Sequence, residues 1–183
     1  MVIISKEENI SKMKSALDTI EKSKTPVQKS NFGQWWFGCF VHLIGGDPEK
    51  TDCRGTITDY SLTEKTLFLE VLLAWTEPIQ TMQFIKKKFP GTVIYFQAEE
   101  IGCNHYVTND NKGTYFPERY FVEGEEIYEE YLKTLSEAIT YLKENAKGFQ
   151  CEENASFDKV EKAVKAYTKE KGIHLGIHEF KII

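Results

Sequence analysis

The chain has 183 residues, 41% of them hydrophobic and 28% charged, with a formal net charge of -5 at pH 7. That is enough apolar mass for a packed core, while an acidic chain gains little counterion-release energy from a phosphate backbone, so nucleic acid is a poor expected partner. No run reaches the ~18 apolar residues of a membrane helix, and the opening "MVIISKEENISKMK" turns charged too early for a signal peptide, so a cytoplasmic protein with no membrane partner is expected.

In chain order, the spacing of Ile10, Met13, Leu17 and Ile20 predicts a helix over about 6–21, with Ser5 and Glu8 placed as a capping box. "KSKTPVQKS" breaks the pattern at Pro26 and reads as a linker. Residues 37–44 read as a short strand ended by Gly45-Gly46. "TITDYSLTEKTLFLEVLLAW" gives two strands, about 55–61 and 66–75, the second apolar enough to be buried on both faces. A helix over about 77–89 follows, capped by Thr76 or Glu77, with Pro78 in its first turn and Lys86-Lys87-Lys88 against the negative end of its dipole.

"TVIYFQAEE" and "CNHYVT" read as antiparallel neighbours, and "TYFPERYFV" as an edge strand, because Pro117 cannot donate to a ladder. A long helix is predicted over about 125–146, with Ile127, Tyr131, Leu135, Ile139 and Leu142 as its buried stripe. The last helix runs over about 157–171, capped by Ser156 and ended by Gly172, and "IHLGIHEFKII" is a final strand. The order of elements predicts a single α+β domain over 1–183, with an N-terminal helix and a C-terminal helix–strand extension from about 155 to 183. Its sheet is antiparallel or mixed, with helices packed mainly on one face.

Four constellations could carry chemistry. His174 and His178 form an HxxxH pair, but on a strand four residues span roughly 13 Å, too far for two ligands that must each lie about 2 Å from one zinc. No metal and no cofactor is therefore expected, and the two histidines are expected to face solvent. Cys103 and His105 share a strand face, where a thiol next to an imidazole could be a nucleophile. Glu99 and Glu100 end a strand, and Asp47, Asp52 and Asp59 form an acidic cluster in or near one loop; paired carboxylates could do acid–base work or hold Mg²⁺, while adjacent acids at strand ends more often guard an edge. The four cysteines, Cys39, Cys53, Cys103 and Cys151, lie at least 14 positions apart, which gives no CxxC half-site, and all are expected as free thiols. No phosphate-loop, dinucleotide, nucleophile-elbow or zincin motif is present.

Trp75 closes the apolar strand directly before the Pro-led helix, and the apolar run ahead of it predicts a buried anchor. The stretch "LAWTEPIQTMQFIKKKFPGTVIYFQAEEIG" carries Ala74-Trp75, then Pro78, Phe89-Pro90, Glu99-Glu100 and Gly102 in that order. Over roughly residues 66–107 it resembles the YubB-type ferredoxin-like family of uncharacterised proteins associated with mobile genetic elements and phages. The resemblance implies a ferredoxin-like α+β sandwich and no particular activity. The reading of the whole chain is a non-enzymatic interaction or regulatory protein of unknown partner, expected to be a protein. Its candidate surface comprises Trp35, Trp36, Trp75, Glu99 and Glu100. The alternative is a small enzyme using Cys103 and His105 or the acidic cluster.

Overall fold

The computed structural model describes residues 1–74 and 77–183. The expectations placed on Trp75 and on Thr76 as a helix cap lie outside the described residues. The protein is α+β, and its backbone forms two compact units, Met1–Ala98 and Glu99–Ile183.

The first unit contains β1 (Val2–Ile4), α1 (Glu7–Lys22), α2 (Phe37–Leu43), β2 (Gly55–Leu62), β3 (Thr66–Leu73), α3 (Ile79–Lys88) and β4 (Val93–Tyr95). Its sheet has the order β2-β3-β1-β4, and each neighbouring pair is antiparallel. Register places Leu67, Ile3 and Ile94 side by side on one face, where all three are buried. The predicted stripe of α1, Ile10, Met13, Leu17 and Ile20, is buried as well, and α1 lies against β3 and α2. The next row, Phe68, Val2 and Tyr95, turns to the opposite face.

Three expectations change here. Ser5 does not cap α1: the N-cap is Lys6, without a side-chain bond. The Ser5 hydroxyl instead meets Thr92 Oγ1 at 2.7 Å and accepts from Asn9 Nδ2 at 2.9 Å, which joins the start of α1 to the start of β4. Residues 37–43 are a helix and not a strand, because α2 buries Phe37, Gly38, Cys39, Phe40 and Val41 on all sides, and such a segment has no periodicity to read. It ends in a Schellman motif, in which Gly45 N–H donates to His42 O and Gly46 N–H to Val41 O, with Gly45 at φ 86°. Finally, β3 is buried on one face only. Leu67 and Leu69 are inside, while Leu72 is 72% exposed.

The helix α3 also takes its cap from elsewhere. Pro78 holds the N-cap position without a side-chain bond, and Asp52, far back in the chain, accepts from Gln80 N–H at 2.8 Å and Thr81 N–H at 2.7 Å.

β5 (Gln97–Glu100) runs across the division between units. The second unit continues with a 3₁₀ turn (Ile101–Cys103), β6 (His105–Thr108), β7 (Tyr120–Gly124), β8 (Glu130–Leu132), α4 (Leu135–Asn145), α5 (Phe157–Lys171), β9 (Leu175–Glu179) and β10 (Lys181–Ile182). One sheet has the order β8-β7-β9, antiparallel throughout, and another has the order β10-β6-β5, with β10 parallel to β6. The segment expected at an edge is therefore the central strand β7, because Pro117 falls in the preceding loop and leaves the ladder intact. The long helix expected over 125–146 is shorter, since Thr134 and Glu137 form a reciprocal capping box that starts α4 at Leu135. Upstream, Glu130–Leu132 pairs as β8. The final helix has the expected bounds, with Gly172 left-handed at φ 71° closing it. Val122, Leu175 and Ile177 face α4 and α5 across a core of Ile139, Leu142, Val160 and Val164.

Candidate functional site

The side of the β8-β7-β9 sheet away from those helices carries a cluster of polar and aromatic side chains. Alternation along β7 sends Val122 to the helices and Phe121 and Glu123 to this side, and along β9 it sends Gly176 and His178 the same way. Phe121 pairs in register with Tyr131 and with His178, and Glu123 pairs with Gly176. Because Gly176 has no side chain, the Glu123 carboxylate lies over it. His174 and His178 are the diagonal neighbours of Glu123, and both reach it. Glu123 Oε1 is 3.1 Å from His178 Nε2 and 3.3 Å from His174 Nε2.

His178 is held on all sides. Its Nδ1 lies 2.7 Å from Asn104 Oδ1, and Tyr106 stacks on its ring at 4.2 Å between centroids. Asn104 follows the 3₁₀ turn in the left-handed region at φ 51°, a conformation that asparagine tolerates, and this places it directly before β6. Oxygen atoms thus flank both ring nitrogens of His178. A doubly protonated ring donates to both, and a neutral ring requires the Asn104 amide to present its nitrogen instead. The His178 side chain is 14% exposed and that of His174 56%, so the expectation of two solvent-facing histidines holds only for His174. Both histidines reach Glu123, so it is the Tyr106 ring and the Asn104 side chain packed on His178 that withdraw it from solvent.

Tyr106, Phe121 and Phe180 form the buried aromatic floor. Among the described residues the Tyr106 hydroxyl has no hydrogen-bond partner, and burial, then the charges of Glu123 and Glu99, push its phenol well above the ordinary tyrosine range. Tyr131 donates to Glu99 Oε1 at 2.7 Å, and burial, followed by that bond, raises its phenol in the same direction. Among the described residues no group of three or more His, Cys, Asp and Glu side chains could hold a metal ion.

Glu99, then, meets this cluster through Tyr131, while Glu100 ends β5. Cys103 is exposed on the 3₁₀ turn and His105 opens β6, half-buried. Trp35 and Trp36 belong to the first unit and are half-buried: Trp35 lies against Tyr60 at 5.9 Å, and Trp36 stacks on Phe32 and donates its indole N–H to Cys53 O at 2.9 Å. Of the acidic cluster, Asp52 caps α3, Asp47 caps the short turn Pro48–Lys50 and pairs with Lys50, and Asp59 Oδ1 accepts from the Tyr60 N–H. Sequence reasoning missed Glu123, Asn104, Tyr106 and Tyr131. The signal available was His-x-Gly-x-His in a strand, since a strand glycine marks a close approach by another group.

Comparisons with protein-family models, with curated proteins and with solved structures found no match. Among the described residues no helix is long and apolar enough to cross a membrane.

Proposed function

We propose that this protein acts by binding, as a non-enzymatic interaction or regulatory protein whose first unit is a ferredoxin-like core. The order β1-α1-β2-β3-α3-β4, with α2 inserted after α1 and the antiparallel sheet order β2-β3-β1-β4, supports the ferredoxin-like reading. It agrees with the fold that the YubB-type resemblance implies, and a mobile-element origin is proposed from that resemblance alone.

The observation that carries the binding reading is the apolar character of the sheet side opposite the buried row. Phe68, Leu72 and Val93 are 39%, 72% and 45% exposed there, around a half-buried Tyr95 and a fully buried Val2. Exposed apolar side chains grouped on one face mark an interaction surface. Asp59 and Glu70 pair on the same side, which favours a protein partner over a nucleic acid. The enzymatic alternative has less support, because Asp47, Asp52 and Asp59 all accept backbone N–H bonds, Asp47 and Asp59 locally and Asp52 from the start of α3.

A photo-cross-linking residue placed at Leu72 or Val93, in the native host, tests the proposal, with Lys14 on exposed α1 as the control position. Discrete protein adducts from Leu72 and Val93, absent from Lys14 and lost on Phe68→Glu, are expected. Adducts spread equally over all three positions, or none, count against it.

A further inference from the structure

A groove of about 560 Å³ opens in the helical layer of the first unit, within the usual range for ligand sites. One wall is a second stripe on α1, set one residue back from the core stripe: Asn9, Lys12, Ala16 and Thr19. The ends of α2 and α3 supply the rest, with the half-buried Leu43 and the outer edge of the buried Phe89 as apolar lining and Lys88 as a second charge.

The charges on this groove are all of one sign. The chain carries a net charge of -5, yet no Asp or Glu lines the groove. Lys12 and Lys88 are exposed, and neither makes an ion pair with a described residue, whereas Lys14, on the same helix, pairs with Asp18 at 2.7 Å. Lys88 is drawn inward over the end of α2, where a methyl group on Gly45 would lie 3.0 Å from its Nζ. The negative end of that helix favours a cation there.

We infer that this groove docks an acidic segment of a protein partner, one that places an apolar side chain on Leu43 and Phe89 and carboxylates on Lys12 and Lys88. The inference rests on the binding reading above and names a second surface for it. Charge complementarity selects the partner: a basic or neutral segment gains nothing from two unpaired lysines, while a carboxylate gains charge-assisted bonds from both.

The test is selection from a displayed library of random peptides on the full chain, followed by affinity measurement of the enriched peptides. Enrichment of Asp and Glu beside Leu or Phe is expected. Affinity should fall at least about tenfold for Lys12→Glu/Lys88→Glu and by a smaller factor for Lys12→Gln/Lys88→Gln, and should weaken with salt. Both lysines are on the surface, and unchanged thermal unfolding of the variants excludes misfolding as the cause. Peptides without acidic enrichment, or binding that the double variants leave unmoved, overturn the inference. If cross-links at Leu72 persist while no lysine-dependent peptide emerges, the groove fails and the sheet-face reading stands. If Leu72→Asp leaves a lysine-dependent peptide bound while cross-links at Leu72 are absent, the sheet face fails and the groove stands.

Discussion

Glu123 and Gly176 face each other across the antiparallel pair β7–β9, and a methyl group on Gly176 would lie 3.0 Å from both Glu123 Oε1 and His178 Nε2. The glycine is what allows one carboxylate to meet two imidazoles. Gly176→Ala should push Glu123 aside and cost about 1–3 kcal/mol in urea unfolding, through crowding and lost hydrogen bonds. In a Glu123→Ala background the same change should cost less, since only His178 Nε2 then crowds the methyl group. An equal cost in both backgrounds would show that the glycine acts through its backbone and not by making space.

A second expectation concerns acid. Asp110 is 1% exposed and accepts from Tyr115 N–H at 2.6 Å and Phe116 N–H at 3.0 Å, while Arg119 donates to its backbone carbonyl. Burial pushes its carboxyl pKa up, but the backbone donors and the Arg119 charge outweigh burial and hold it below the usual aspartate value. A depressed folded pKa means that the native state binds fewer protons. The stabilisation is therefore complete above the unfolded pKa and is lost as pH falls through the folded one. Both N–H groups meet the same oxygen, Oδ2, which an amide oxygen can replace, so Asp110→Asn loses the charge assistance and not the bonds and should cost about 1–2 kcal/mol at neutral pH. It should also flatten the acid limb of the stability curve below about pH 4. An unchanged acid limb would assign acid sensitivity to other carboxylates.

The long-range cap on α3 gives a third. Asp52→Ala leaves the Gln80 and Thr81 N–H groups without their acceptor and should lower stability by about 1–2 kcal/mol. Asp52→Asn should retain part of it. Hydrogen exchange at Gln80 and Thr81 should accelerate in the alanine variant more than at amides in the middle of α3. Protection unchanged at those two amides would mean that Asp52 contributes nothing to the helix start.

What the sequence showed and what it hid follow from the range of the interactions. The stripe of α1 was legible because a 3.6-residue period records one buried face, and Gly172 marked the end of α5 by its left-handed turn. Helix α2 was hidden because it is buried all round, although Gly45-Gly46, read as a strand end, was the Schellman signal of a helix. Thr134 and Glu137 stood in the sequence as a capping box, but the apolar spacing from Ile127 onward masked them. Asp52 on α3 and Glu123 on two histidines depend on pairing between distant segments, and no local pattern records register. The groove beside Lys12 is similar: its α1 stripe is visible once the core stripe is known, but α2 and α3 must be placed before it has walls.

The cysteines differ enough in setting to be told apart by reaction rate. All four are free; Cys39 and Cys53 are buried, Cys151 is half-buried and Cys103 is exposed. Reaction with a disulfide reagent needs an accessible thiolate. Cys53 fails on both counts, since burial pushes its thiol pKa up and its Sγ lies 3.3 Å from Pro48 O. Cys39 is enclosed in α2, with its Sγ 3.8 Å from Gln28 O. In the native protein at neutral pH one fast thiol is expected, removed by Cys103→Ser, followed by a slower one from Cys151. Cys39 and Cys53 should react only at the rate at which the chain unfolds, and in denaturant all four should be titrated. Rapid modification of Cys53 in the folded protein would show that the 47–54 loop opens readily, and would remove Asp52 as a fixed cap for α3.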